Sequence, residues 1–391
     1  MEAQWGRFLP ATTTFRMIPN FPYRRVNWVA SYFLIATFFT AVIGTPLYTK
    51  HFGLDWFQVA MFLIYFMLTG LSITLGYHRL FSHRSFVAKW PVRLGTLVFG
   101  ACAFEDSALD WSSDHRDHHK HTDTDDDPYN IQKGFFWAHI GWIFFKLYPR
   151  VMNNVADLRK DPIVMWQHQH HRTIAVLVGF VLPALIGYAW DGPVGALGGF
   201  LMAGVTRVVA VQHCTFFINS LCHCMGNRPY SGKTSARDSW FMALFTFGEG
   251  YHNYHHSFQH DYRNGVKGWQ FDPTKWTIWI LARLGLVTDL RRAAPEKVLL
   301  AELREARIQA EMRLAELKQI PTHARQCASW QKAFDRVQEM SAAFTANYAE
   351  LERAVSEQVR VSRKRLEAWR GNSVQLLEGI AELSRLQTAY S

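Results

Sequence analysis

Nine histidines in a few short stretches carry the chemistry that this sequence suggests. Residues 115–119 read HRDHH and residues 252–256 read HNYHH, so each stretch has histidines at positions i, i+3 and i+4. Residues at that spacing share one face of a helix, so each stretch can aim its imidazoles at a common point. The candidate ligands are His78, His83, His115, His118, His119, His223, His252, His255 and His256.

A ligand set this rich in imidazole suits iron, copper, zinc or nickel rather than magnesium or calcium. One such ion takes about four to six ligands, so nine histidines predict two ions. Packed without a metal, nine imidazoles would leave many buried ring nitrogens unpaired, which is costly. Carboxylates that can orient the ligands from outside are Asp106, Asp110, Asp114, Asp123, Asp125 and Glu249.

The elements that must position these histidines are apolar stretches long enough to cross a bilayer, each with about 20 residues. The second stretch ends one turn before His78, and a short Asp191-Gly192-Pro193 turn separates the third from the fourth. His78 and His83 are five residues apart, which predicts that one of them lies at a helix end. The four windows are Val29–Leu47, Trp56–Leu75, Ile174–Trp190 and Val194–Val211.

The charges that flank the four windows predict their orientation. The Arg-rich N-terminus, residues 77–172 and everything after Gln212 fall on one side, and the two short connectors carry only Lys50. The positive-inside rule then places both termini and every histidine set in the cytosol of a multi-pass integral membrane protein. No removable signal is expected. The net charge of +10 suits anionic lipid headgroups and a phosphorylated substrate, and we expect no nucleic acid partner.

The expected fold is an all-α integral membrane protein with four transmembrane helices and a helical cap on the cytosolic side. Residues 1–28 form an interfacial segment, residues 29–292 the membrane body with its cap, and residues 293–391 a helical, coiled-coil-like extension. In this extension, apolar residues at helical spacing alternate with Glu and Arg. Pro321 is expected to break it, and Gly371 to cap its longer helix.

The histidine stretches resemble the three histidine boxes of membrane fatty-acid desaturases, and are most similar to the acyl-CoA Δ9-desaturases of the stearoyl-CoA type. The matching residues read HRLFSH at 78–83, HRDHH at 115–119 and HNYHH at 252–256, and the resemblance covers about residues 20–290. It implies a four-helix stalk under a cytosolic cap with two irons on the nine histidines. It also implies a water held by Asn219 and a kinked tunnel for the acyl chain.

The resemblance implies an acyl-CoA desaturase that uses O2 and two electrons to insert a cis double bond, at Δ9, into a saturated acyl chain. No catalytic residue beyond the metal centre is implied. The chain contains no G-x-G-x-x-G after a strand, no haem attachment motif and no ferredoxin-type cysteine run. A separate reductase, or a ferredoxin- or cytochrome-type electron donor, is therefore expected, and the basic surface favours an acidic partner.

The resemblance carries over only part of the family's substrate contacts. Ser113 and Leu147 stand at positions where the family is expected to have basic residues, which weakens the case for the same binding of the CoA phosphates. An acyl carrier other than CoA is therefore an alternative. Phe62 and Phe66 on the second apolar helix are candidates for the tunnel floor, where shape would position the chain. The candidate contacts to the acyl-CoA head or tunnel entrance are Asn27, Trp111, Asp114, Trp142 and Lys146.

Two other functions fit the same ligand types. A lipid hydroxylase or alkane-type di-iron monooxygenase also abstracts hydrogen, and differs in whether oxygen returns to carbon. A metal transporter or storage protein would instead line a path through the spanning windows with ligands, whereas here we expect the ligands outside those windows.

Overall fold

The computed structural model describes residues 25–145, 152–318 and 328–390, and most of these residues are helical, which confirms the predicted helical class. A single two-residue pairing joins β1 (Val87–Ala88) to β2 (Val287–Thr288) antiparallel within this described part. The helices are α1 (Trp28–Phe52), α2 (Trp56–Ser82), α3 (Trp90–Ala101), α4 (Ala108–His121), α5 (Phe135–His139), α6 (Pro162–Cys224), α7 (Trp240–Phe245), α8 (His252–Ser257), α9 (Pro273–Arg283), α10 (Pro295–Lys318), α11 (Ala328–Ser356) and α12 (Arg363–Tyr390).

Within the described ranges, three helices, α1, α2 and α6, are long and apolar enough to cross a membrane, with 25, 27 and 63 residues. The helices therefore extend beyond the predicted windows, and the third and fourth windows form the two arms of α6, on either side of a break. Inside α6, Asp191 (φ −146°) and Gly192 (φ 52°) leave helical geometry, where the turn was predicted.

The two arms of α6 pack against each other as an antiparallel hairpin. A Cβ on Gly187 would lie 2.1 Å from the carbonyl oxygen of Gly195, and one on Gly199 would lie 2.2 Å from that of Pro183. Residues before and after the break thus pair in reverse order. Glycine at these positions lets the two backbones touch, as is common where helices pack in membranes.

The second long helix changes its winding before it reaches the histidines. From Ser72 to Ser82 the backbone is π-helical, and the amide of His83 donates to the carbonyl of His78 at 3.1 Å. Residues five apart therefore share a face in this segment. His83 ends the helix, as predicted, and the wider winding explains how it still points the same way as His78.

Two apolar stretches between the second and third windows, residues 92–104 and 135–147, are too short to span a bilayer, and they predict short helices buried in the cap or lying on the membrane interface. The first is present as α3, packed between α2 and the first arm of α6. The second was predicted over residues 135–147, but α5 ends at His139 and a separate turn of 3₁₀-helix follows over Gly141–Phe144. That prediction was wrong in length, because Gly134 and Ile140 bracket α5 with non-helical backbone.

The last three helices form a bundle with its own hydrophobic core. Leu303 of α10, Val337 and Leu351 of α11 and Ile380 of α12 are buried together. Pro321 lies outside the described residues. Gly371 does not cap a helix as predicted: it lies inside α12, and the chain instead breaks between Ser356 and Arg363.

Candidate metal centre

The structure brings all nine predicted histidine ligands together into two adjacent groups. Within each group, the candidate ligand atoms all lie within 4.8 Å of one another. The five-histidine group is His78, His83, His115, His119 and His255. The four-histidine group is His118, His223, His252 and His256.

The helices α4 and α8 each serve both groups. On α4, His115 and His119 lie one turn apart and enter the five-histidine group, while His118 turns to the other. On α8 the assignment is reversed: His252 and His256, the pair that lies one turn apart, belong to the four-histidine group. The prediction that each stretch aims its three imidazoles at one common point was therefore wrong: the i, i+3, i+4 spacing divides them between two neighbouring points.

The ring nitrogens within each group face one another at about the spacing expected around a shared cation. Nε2 of His83 lies 2.8 Å from Nε2 of His115, and Nε2 of His252 lies 3.1 Å from Nε2 of His223. Burial, followed by repulsion from neighbouring imidazoles, lowers the pKa of His115 and His255 well below the usual range. Neutral imidazoles are the form that binds a metal, so the residues present fit such an ion.

The outward-facing Nδ1 atoms of several candidate ligands lie near polar partners. Nδ1 of His78 lies 3.0 Å from Oε2 of Glu249, and Nδ1 of His118 lies 2.9 Å from Oδ1 of Asp127. Nδ1 of His223 lies 2.7 Å from Oγ of Ser235. A partner on Nδ1 orients the ring and leaves Nε2 for a metal.

Among the predicted orienting carboxylates, Glu249 contacts a candidate ligand directly. Asp123 acts indirectly, through Ser235, whose amide donates a hydrogen bond to the Asp123 carboxylate at 2.6 Å. Asp110 instead lies 3.3 Å from His168. Sequence reasoning missed Asp127 as a partner of His118, although the D-P-Y run around it was a usable signal.

Two more residues near the centre were not predicted. Arg79 lies between the two histidines of the first box, is 1% exposed and contacts Glu249 and Asp272. Glu105 accepts a hydrogen bond from Nε1 of Trp111 at 3.3 Å. A basic residue between two ligands was a visible signal for Arg79, whereas nothing in the local sequence distinguishes Glu105 from its acidic neighbour.

The predicted substrate contacts lie at different distances from the histidines. Trp111 stacks on His115 with ring centroids 4.8 Å apart. Trp142 packs against Tyr129 at 5.1 Å, and its buried Nε1 has no hydrogen-bond partner among the described residues. Asn27 caps α1 by accepting from the amide of Ala30 at 3.3 Å.

The remaining predicted positions are less directly tied to the centre. Asn219 is half-buried on α6, one turn before His223, and its role through a water stays a prediction. Phe62 and Phe66 stack at 5.9 Å, and Phe66 lies 5.2 Å from Phe247, two residues before Glu249. Asp114 lies on α4 beside His115. Lys146 lies outside the described residues.

Long apolar helices that end at two buried groups of histidines define the class of this protein. It is a helical membrane protein whose histidine centre could hold metal ions. The chain belongs to the fatty acid desaturase family: the family's sequence model, described as "Fatty acid desaturase", matches residues 54–276.

Curated relatives agree with this membership. The chain is 43% identical to the "Probable acyl-CoA desaturase" of Schizosaccharomyces pombe, over 68% of this chain and 55% of the relative. It is 40% identical to "Acyl-CoA desaturase 1" of Saccharomyces cerevisiae, over 70% of this chain and 54% of the relative. It is 35% identical to "Delta(9)-fatty-acid desaturase fat-6" of Caenorhabditis elegans, over 70% and 82%. The chain thus spans about half the length of the two yeast relatives it matches.

Proposed function

We propose that this protein is an acyl-CoA desaturase that inserts a cis double bond at Δ9 of a saturated acyl chain, using O2 and two electrons from a separate donor. The observation that carries this proposal is the pair of adjacent histidine groups, with five and four members, that share α4 and α8. Family membership and the names of the relatives support the substrate class and the position of the bond.

The proposed cofactor is two iron ions, one for each histidine group. Bound irons would supply an oxidant strong enough to remove hydrogens from unactivated methylenes. Glu249 and Asp127 would keep His78 and His118 in their ligating tautomer by holding Nδ1. Asn219 would hold a water toward the four-histidine group.

The proposed topology has four crossings, with both termini and the histidine centre in the cytosol. A helix of 63 residues would be about 95 Å long at about 1.5 Å per residue, far more than a bilayer of about 30 Å. The break at Asp191 and Gly192 and the antiparallel packing of the arms support two crossings for α6. The basic flanks support the orientation. The three predicted domains, 1–28, 29–292 and 293–391, stay part of this proposal.

Trp111 is the residue we propose to position the acyl chain against the reacting centre. Its ring is stacked on His115 and its Nε1 is held by Glu105, so its orientation is set from two sides. Trp142 presents a buried N–H that has no partner among the residues the structure describes, and this group would suit a polar group of the substrate. Regioselectivity would then follow from how far the chain enters before its shape stops it.

The test is product analysis. The protein is reconstituted with a reductase and electron carrier, supplied with stearoyl-CoA and O2, and the fatty acids are analysed by gas chromatography with mass spectrometry. A Δ9-unsaturated product is expected. A hydroxylated product would establish the lipid hydroxylase alternative, and metal flux without oxidation would establish a transporter.

A further inference from the structure

The helical bundle at the C-terminal end contacts the loop that precedes the third histidine stretch. The carboxylate of Glu305 on α10 accepts a hydrogen bond from the amide of Gly232 at 2.9 Å. Burial, followed by the charge of the nearby carboxylate of Glu302, one turn earlier on α10, raises the pKa of the Tyr230 phenol. Val298 packs against Tyr230 and Tyr254 in a small apolar cluster. The first turns of α10 therefore bind residues 230–232 through both polar and apolar contacts.

The other end of this loop holds a candidate metal ligand. Ser235 lies 2.7 Å from Nδ1 of His223 through its hydroxyl, and its amide is anchored on Asp123 at 2.6 Å. The side chain of Asn253 on α8 accepts a hydrogen bond from the amide of Tyr230 at 2.9 Å and donates one to the carbonyl of Ala236 at 3.0 Å. Residues 230–236, here called the ligand loop, are therefore fixed between α10 on one side and His223 and α8 on the other.

Polar contacts join α10 to the rest of the bundle. Glu302 accepts a hydrogen bond from Nε of Arg370 on α12, with its Oε2 2.7 Å away. Near the start of α10, Glu296 accepts from the amide of Val361 at 3.1 Å. The last helix is thus joined to α10, whose Glu305 contacts the loop that touches the metal centre.

The contacts of the ligand loop support the four-histidine group more directly than the five-histidine group. His223 belongs only to the four-histidine group, and Ser235 is the loop residue that holds it. The five-histidine group has its own support at His78, where Glu249 is held by Arg79. Because α8 carries ligands of both groups, its position affects both. The contact between the loop and His223 is what makes the effect selective for the four-histidine group.

We propose that the C-terminal bundle is a positioning element of the metal centre, which sets the geometry of the four-histidine group through the ligand loop. This inference rests on the proposed function, since it requires that each group hold an ion. It assigns a role to a part of the chain that the sequence alone predicts only to be a helical, coiled-coil-like extension. Loss of an outer-shell partner typically weakens metal binding about 10- to 100-fold.

The experiment compares Glu302→Ala/Glu305→Ala with Glu311→Ala in the full-length, iron-loaded protein. Glu311 lies on the same helix and forms an exposed pair with Arg307 at 2.7 Å, so it is a matched control. Iron per polypeptide is measured by elemental analysis during chelator titration, and Mössbauer spectra distinguish the two sites. We expect the double variant to release one iron about tenfold more readily, with the other unchanged. Ser235→Ala should weaken the same iron, and Glu302→Gln/Glu305→Gln should restore most of the loss.

The outcomes separate this inference from the proposed function. Wild-type protein that takes up no iron would overturn the proposed function itself. Wild-type protein with two irons, and a double variant that keeps both at wild-type affinity or loses both equally, would overturn the role of the bundle. Glu305→Ala alone removes the carboxylate that accepts from the amide of Gly232, and gives the same readout if the double variant does not fold.

Discussion

Arg79 and Glu249 form a buried ion pair, and the carboxylate of this pair also contacts a candidate metal ligand. Nη2 of Arg79 lies 2.8 Å from Oε1 of Glu249, and Oε2 of the same carboxylate lies 3.0 Å from Nδ1 of His78. Burial opposes ionisation of this carboxyl, but the charge of Arg79 outweighs it, so the pKa of Glu249 is lowered. Asp272 contacts the same guanidinium at 3.0 Å. A chain of charges thus orients one imidazole of the five-histidine group.

Glu249→Gln should weaken metal binding by the five-histidine group about 10- to 100-fold, because the amide cannot balance Arg79 and accept from His78 equally well. Metal titration of the purified variant checks this, with desaturation rate as a second readout. Glu311→Gln, on the exposed face of α10, is the matched control and should behave as wild type. Unchanged affinity in Glu249→Gln would show that His78 is oriented by other contacts.

Single histidine substitutions should remove ions from different groups. His255→Ala should lower the metal content of the five-histidine group, and His118→Ala that of the four-histidine group. Both should abolish the proposed desaturation, which needs the complete centre. Metal content by elemental analysis and spectroscopy of the remaining ion check the assignment. His170→Ala is the control, since His170 is exposed and its Nδ1 lies 2.8 Å from the carbonyl oxygen of Trp166 on its own helix. Retained activity would remove the substituted residue from the centre.

Stability should depend on pH through Glu105. Burial raises the pKa of this carboxyl to about 8 from 4.5, although hydrogen bonds from Thr215 and Trp111 oppose the shift. The folded state then keeps a proton that the unfolded state loses. The free energy of unfolding should therefore fall as pH rises from about 4.5 to about 8, and this contribution should be constant above that.

Glu105→Gln keeps the shape and removes the ionisable group, so its advantage in melting temperature over wild type should grow across that interval and then level off. Thermal unfolding of the detergent-solubilised protein at several pH values measures it. Glu316→Gln, at an exposed position of α10, should show no such trend. A difference that is independent of pH would contradict the elevated pKa.

Shortening Phe66 should change the preferred acyl chain length. Phe66→Ala opens space between Phe62 and Phe247, so longer chains should be accepted, with each methylene of misfit costing about 1–3 kcal/mol. Competition between saturated acyl-CoAs of different length measures the shift. Leu63→Ala, which changes a side chain 52% exposed on the outer face of the same helix, is the control. An unchanged profile would place the tunnel floor elsewhere.

The contact between the arms of α6 should be sensitive to a single methyl group. Gly187→Ala would place a Cβ 2.1 Å from the carbonyl oxygen of Gly195, so the arms must separate, at a cost of about 1–3 kcal/mol. Gly95→Ala on α3 has nothing within 4 Å of the added carbon and should stabilise by up to about 1 kcal/mol. Thermal unfolding of both variants measures the contrast, and equal effects would contradict the close packing.

The local sequence already determined which residues meet at this centre. Spacing of three and four residues places imidazoles on one face of α4 and of α8, and apolar length predicts α1, α2 and the two arms of α6. These are consequences of helix geometry and hydrophobic transfer, which act over a few neighbouring residues. The chain-reversing turn at Asp191 and Gly192 was visible for the same reason.

The tertiary structure alone decided how the nine histidines divide, because His118 and His119 are neighbours in sequence yet face different groups. It also decided that Asp127 orients His118, that Arg79 is buried beside Glu249, and that Arg370 of the last helix is bonded to Glu302 of α10. Each of these contacts joins residues through packing of whole helices. Local propensity does not encode such distant pairings, since they depend on which surfaces are covered when the helices assemble.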